Sequence, residues 1–237
     1  MRAMCYRCFW PQTLCWCGSL RPMATRTRLV FLMHPKEFKQ EKAATGRLTR
    51  LCLENSELHM GLGFDDHDAV RALVADPGNL CALLYPGRDA RNISRGEFGP
   101  ADLGGRRLVV FLLDATWSGA RKMLRLSPVL QRLPRLGFDA TAPSRYVIKQ
   151  QPEPGCLSTL EATHELLLAL DGAGLERYED REQLLAVFAR MQEHQLRCAA
   201  DPARSGYRRR PYSDPAERLG PQGAAGARRR YLPRGGA

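Results

Sequence analysis

The chain lacks any run of the ~18 to 20 consecutive apolar residues that a membrane span requires. Its longest strongly apolar runs, Leu29 to Met33 and Leu108 to Leu113, are the length of a strand. The N-terminus has no apolar run long enough for a secretory signal, and carries Cys5 and Cys8 where one would stand. These absences exclude an α-helical membrane protein and predict a soluble, cytoplasmic one with no membrane partner. Acidic residues are also short. Against 36 Lys and Arg there are 25 Asp and Glu, a net charge of +11 on 237 residues. The deficit is uneven, since residues 199–237 hold nine Arg and three acidic residues. Such a balance suits a polyanion, most often nucleic acid. A merely basic surface would leave the same trace.

What is present first draws the eye at the cysteines. Cys5, Cys8, Cys15 and Cys17 crowd into the N-terminus, whereas Cys52, Cys81, Cys156 and Cys198 are scattered singly. In a cytosolic chain the crowded set reads as a metal site and the single ones as small hydrophobes. A C-x2-C knuckle followed by C-x-C can close a tetrahedral Zn2+ shell at little loop-closure cost, and four thiolates leave no open catalytic position. Disulfides are the alternative, disfavoured by the strained C-x-C spacing. Arg7, Trp10, Trp16 and Arg21 interleave with these ligands, so the knuckle either touches RNA by charge and stacking or uses its two Trp residues for packing.

Composition divides the chain into a Cys-rich segment over 1–23, a central domain over 24–198 and a basic tail over 199–237. The tail has two large aliphatic residues, Leu219 and Leu232, and is expected to be disordered in isolation. The centre reads as α/β. Strands are predicted at Leu29–His34, Glu57–Gly61, Leu80–Tyr85, Leu108–Leu113 and Pro134–Phe138, with a weaker sixth at Arg145–Lys149. These runs are mostly continuous rather than alternating, as in strands buried on both faces of a parallel sheet. Helices are predicted at Asp66–Ala75, Gly119–Leu130, Ser158–Leu170 and Asp180–Arg197. Together they describe a mostly parallel, helix-covered sheet, whose ligands bind beyond the carboxyl ends of its strands.

That rule singles out Asp114-Ala115-Thr116-Trp117, which follows the run Leu108–Leu113 and precedes a helix. Taken alone, Asp114 or Thr116 could simply cap that helix and Trp117 could be core. Arg121 and Lys122 stand in the helix's first turns, where cations are unfavourable unless an anion lies nearby, or else form a solvated face. Ser158-Thr159-Leu160-Glu161 fits a capping box, and the same helix start offers amides to an anion. Thr45-Gly46-Arg47 follows a loop bearing Lys36, Lys39 and Lys42, suited to phosphate. His34 ends the first strand, where a lone His is more often a hydrogen-bonded structural residue than a catalyst. His59, His67, His164 and His194 have no metal-site spacing.

Asp114-x-Thr116-Trp117, followed by Ala120-Arg121-Lys122-Met123 and Ser127-Pro128, resembles the signature of the DTW-domain family of tRNA-uridine aminocarboxypropyltransferases. The likeness extends to the Cys cluster, His34-Pro35 with Glu37, Thr45-Gly46-Arg47, Tyr85-Pro86-Gly87, Arg145-Tyr146 and Cys156-Leu157-Ser158-Thr159-Leu160-Glu161-Ala162, in family order. It covers about Cys5 to Leu170 and leaves the tail untouched.

The resemblance implies a SPOUT-like fold with a trefoil knot in its C-terminal part and a small N-terminal zinc knuckle of four cysteines. It implies S-adenosylmethionine as donor and tRNA as partner, with no obligate protein partner. The 3-amino-3-carboxypropyl group would pass to N3 of a uridine, releasing methylthioadenosine. Uridine N3 is a poor nucleophile until it loses its proton, so Asp114 is the expected general base, with Thr116 and Trp117 beside it. Tyr85, Pro86, Gly87, Leu113, Arg145, Tyr146, Leu157, Ser158, Thr159 and Glu161 are the expected donor contacts. His34, Lys36, Thr45, Arg47, Arg121 and Lys122, with Arg208, Arg209 and Arg210 of the tail, are the expected RNA contacts. A SPOUT-type methyltransferase and a non-catalytic, zinc-stabilised RNA-binding protein share the same composition and basic tail.

Overall fold

Six strands pair into one parallel sheet. The computed structural model describes residues 3–8, 10, 12, 15–40, 44–148, 156–201 and 203. Its strands are β1 (Arg28–Met33), β2 (Ser56–Met60), β3 (Asn79–Leu84), β4 (Arg91–Asn92), β5 (Arg107–Asp114) and β6 (Arg135–Gly137). The helices are α1 (Pro35–Gln40), α2 (Thr45–Leu51), α3 (Asp68–Ala75), α4 (Pro100–Leu103), α5 (Trp117–Arg125), α6 (Pro128–Gln131), α7 (Thr159–Gly172) and α8 (Gln183–Ala200). Every strand pairing is parallel, in the order β2-β1-β5-β3-β6-β4.

Continuous apolar strands need cover on both faces, and they have it. Leu29 and Phe31 of β1, with Leu108, Val110 and Leu112 of β5, pack against α2, α7 and α8. The alternate residues Val30, Leu32, Val109 and Phe111 pack against α3, α5 and α6. Each such fully buried side chain contributes about 1.5–3 kcal/mol by leaving water. Two buried carboxylates fasten the layers. Glu176 accepts the Arg26 and Thr27 amides at 2.8 Å just before β1. Glu165 of α7 accepts the amide and hydroxyl of Thr141 at 2.9 and 2.8 Å.

Three expectations are corrected in detail. The helix expected over Gly119–Leu130 is two helices: α5 stops at Arg125, and Pro128 opens α6 in the first-turn position that proline favours. Arg145–Ile148 forms no strand, because its backbone bonds go to side chains: the Val147 amide donates to Gln192 Oε1 and the Arg145 carbonyl accepts from Gln192 Nε2. Lys149 lies outside the described residues. The sixth strand is instead β4, two polar residues that no hydrophobic run announces. The path from β6 to α7 includes residues 149–155, outside the described residues, and with them the course of the chain on which the implied knot depends. Most of the tail, with Arg208, Arg209 and Arg210, also lies outside them.

The order of strands sets the place of the site. From β1 the chain leaves for β2 on one side; from β5, the neighbour of β1, it leaves for β6 on the other. Adjacent strands whose connections diverge open a crevice at their carboxyl ends. Asp114 stands there, in register with Met33.

Candidate functional site

Asp114 is the last residue of β5 and is buried. Its carbonyl accepts from the His34 amide at 3.0 Å, which ties the exits of β1 and β5 together. Its carboxylate lies between two helix starts. From α7, the Thr159 hydroxyl donates to Oδ1 at 2.5 Å. From α2, the backbone of Gly46 presses against the other oxygen so closely that a Cβ there would stand 2.7 Å from Asp114 Cγ. Arg47 follows, its guanidinium 5.4 Å from the Phe38 ring centre and within reach of the Asp114 charge. Burial pushes this guanidinium below its ordinary pKa, against the pull of Asp114 and of Cys8. Neighbouring Thr45 is buried, which turns it away from solvent.

Beyond Asp114 the chain turns into α5. Thr116 is the N-cap, its hydroxyl accepting from the Gly119 amide at 3.2 Å. Trp117 opens the helix and remains 37% exposed. Next to it is a cavity of about 550 Å³, within the range of small-molecule sites. It lies at the carboxyl ends of β3, β5 and β6. Leu84, Tyr85, Pro86, Leu112, Leu113, Ala115, Trp117, Ala120 and Leu136 line it together with Gly137, Phe138, Asp139, Ala140, Leu157, Thr159 and Ala162. Thr159 therefore faces the cavity and holds Asp114 as well. The Tyr85 hydroxyl is pushed up by burial while Arg121 and Arg135 pull it down, and Arg135 lies over its ring at 5.5 Å.

The other expected donor contacts sit outside that lining. Gly87 is beside the Arg135 guanidinium. Ser158 and Glu161 form the capping box: the Ser158 hydroxyl accepts the Glu161 amide, and Glu161 accepts the Ser158 amide. Glu161 also accepts from the Ser144 hydroxyl and the Arg145 amide. Its carboxylate thus fastens the 144–145 loop to α7. Arg145 is exposed, and Tyr146 packs edge-on against Phe188 at 5.1 Å.

Of the expected RNA contacts, Lys36, Arg121 and Lys122 are exposed. The His34 imidazole accepts the Lys36 amide, with its ring carbon near Gly119. Burial lowers its pKa, assisted by the charges of Lys36 and Lys122.

Sequence reasoning missed Gly46 as the wall behind Asp114, and Phe138, Asp139 and Ala140 as cavity lining. The second set was within reach, since the rule that singled out the end of β5 applies equally to the end of Pro134–Phe138. Gly46 carried no such signal, because nothing in the chain says what a glycine's missing side chain would meet.

The cysteines Cys5, Cys8, Cys15 and Cys17 bring their sulfur atoms within 4.8 Å of one another. Cys5 and Cys17 are 3.9 Å apart, Cys8 and Cys15 3.8 Å. These separations are far beyond the ~2.05 Å of a disulfide. They match the edge of a tetrahedron with Zn–S bonds of about 2.3 Å, about 3.8 Å. The amides of Cys8 and Arg7 draw the Cys5 thiol down to about 6, while burial pushes Cys8 and Cys17 up. A dication would release the remaining protons, so the donor set fits Zn2+. The isolated Cys52 and Cys81 are buried, their thiols pushed up to about 12 and 11, the state of inert core residues.

The knuckle rests on α8. Trp10 and Trp16 meet edge to face at 4.5 Å, His194 packs on both, and Arg190 lies over the Trp16 ring at 5.0 Å. Trp16 belongs to the same core as Leu29 and Phe31. These two Trp residues are packing residues.

The protein is a parallel α/β sheet with a gripped carboxylate at its switch point and, alongside it at the carboxyl edge, an apolar, aromatic cavity of small-molecule size. The family model of the DTW domain matches residues 2–196, and the chain belongs to that family. It is 32% identical over 204 residues to "tRNA-uridine aminocarboxypropyltransferase 2" of Drosophila melanogaster, covering 82% of this chain and 76% of that protein. The proteins of the same name from Mus musculus and Macaca fascicularis are 32% and 29% identical over 176 and 175 residues. In each case the alignment covers 72% of this chain and 57% of the relative. No solved structure gives a significant match. Among the described residues no helix is long and apolar enough to cross a membrane.

Proposed function

We propose that this chain is a tRNA-modifying transferase that moves the 3-amino-3-carboxypropyl group of S-adenosylmethionine to N3 of a tRNA uridine. The observation that carries this reading is the pairing, in a DTW-domain chain, of a buried carboxylate at the switch point with a cavity of about 550 Å³ that shares Thr159 with it. The cavity fits the donor by its chemistry. Tyr85 and Phe138 give aromatic faces for an adenine, and Leu84, Leu113, Leu136 and Leu157 give apolar walls. The start of α7 offers first-turn amides to the donor's carboxylate.

In the reaction N3 forms a bond to the γ-carbon of the donor as the bond from that carbon to the sulfonium breaks. The electron pair passes to sulfur and leaves neutral methylthioadenosine. The N3 proton goes to a base, and Asp114 is that base. Its position is held from both sides, by the Thr159 hydroxyl and by Gly46. The sulfonium is already a good leaving group, so the protein's work is to present one carbon, rather than the methyl, to the nucleophile. Trp117, exposed at the rim, offers a face for the incoming uracil. Arg121, Lys122 and Lys36 are the phosphate contacts around it, and Zn2+ on Cys5, Cys8, Cys15 and Cys17 is structural.

Replacing Asp114 by Asn keeps the shape and the Thr159 bond but removes the base. Transfer by this variant should fall about 10²- to 10⁴-fold with donor affinity retained. Full transfer, or a loss confined to donor binding, would overturn the assignment of the base.

A further inference from the structure

Tyr6 is 90% exposed at the tip of the first cysteine knuckle, the most open large hydrophobic side chain among the described residues. The cause is local. The Cys5 amide donates to the Trp10 carbonyl at 2.7 Å, and residues 6–8 form a turn. Arg7 is exposed beside Tyr6 in that turn. The turn within the cysteine cluster thus leaves its aromatic ring open to solvent. Among the described residues, the knuckle's other aromatic side chains, Trp10 and Trp16, pack on each other and on α8.

The position matters as much as the exposure. Trp16 of the knuckle belongs to the same core as Leu48 of α2, the helix whose start brings Gly46 against Asp114, so the knuckle lies on the side of the molecule where α2 carries that contact. Residues 1–23 contain Arg2, Arg7 and Arg21 and no acidic residue. An exposed aromatic face on a basic, acid-free loop fits an unpaired nucleobase next to a phosphate, and a duplex, whose bases are already stacked, offers it nothing.

We infer that Tyr6 is a stacking platform for an unpaired base of the RNA substrate, with Arg7 on the adjoining phosphate, forming a second point of attachment beside the catalytic crevice. This inference rests on the reading of the chain as an RNA-modifying enzyme and adds the residue by which the knuckle takes part.

The test measures the affinity of the full-length, zinc-loaded protein and its Tyr6→Ala and Tyr6→Phe variants for unmodified tRNA, a short oligouridylate and a duplex RNA of the same length. Tyr6→Ala should bind tRNA and oligouridylate about tenfold more weakly, Tyr6→Phe should bind as the wild type, and duplex binding should not change. Wild-type affinity of Tyr6→Ala for all three RNAs, or a loss on the duplex equal to that on the single strand, would overturn the inference. The two readings fail separately. If wild-type protein transfers nothing to tRNA while Tyr6→Ala loses single-strand affinity, the platform stands and the enzymatic reading falls. If transfer is normal and Tyr6→Ala binds as the wild type, the reverse holds.

Discussion

Asp114 was legible as a chemical residue because an acid at the end of an apolar run is conspicuous; its surroundings were not. The structure places Gly46 against the carboxylate so tightly that any side chain would push it aside. A Gly46→Ala variant should therefore lose about 10²-fold in turnover, since displacing a reacting group by about an ångström costs that much. Its donor affinity and zinc content should stay near those of the wild type, as measured by calorimetry and elemental analysis. Turnover equal to wild type would show that the carboxylate has slack. Arg47 was expected on RNA, whereas its guanidinium points inward to Phe38 and the Asp114 charge. A Lys or Arg in a loop looks the same in one dimension whichever way it turns. Ser158 and Glu161, by contrast, make the capping box that their spacing announced, because that motif is closed within four residues.

At the scale of elements, legibility followed the length of the apolar run. β1, β3 and β5 lie where continuous hydrophobic runs stand, and β2 and β6 where shorter, mixed segments were read as strands. β4 has two polar residues and no run, and the segment Arg145–Ile148 has the composition of a strand but satisfies its amide and carbonyl through Gln192 of α8. Side-chain partners from 45 and 47 residues away leave no local trace. The four-cysteine cluster was readable as a metal site from spacing, but its seat on α8 through Trp16, Arg190 and His194 was not. That seat has a consequence. Removing zinc with a chelator should lower the melting temperature of the central domain, because Trp16 is part of its core, and should increase hydrogen exchange over α8. Unchanged melting and exchange after complete zinc removal would show that the knuckle packs without the metal.

For the molecule as a whole, the parallel sheet was foretold by runs that were mostly continuous rather than alternating, above all β1, β3 and β5, and both faces are covered as that pattern demands. The strand order was not legible. Which strand neighbours which depends on long-range packing, and the switch point between β1 and β5 exists only in that order. Once it is known, the crevice, the carboxylate and the cavity fall into one place. The chain's net charge of +11 suits a polyanion, and the exposed Lys36, Arg121 and Lys122 lie near that edge. Methyl transfer and aminocarboxypropyl transfer use the same donor and differ in which carbon is presented. The most direct measurement therefore incubates the protein and unmodified tRNA with donor labelled either on the carboxyl carbon or on the methyl carbon. Carboxyl label entering tRNA without methyl label is the expected result; methyl label alone would contradict the account and make the protein a methyltransferase.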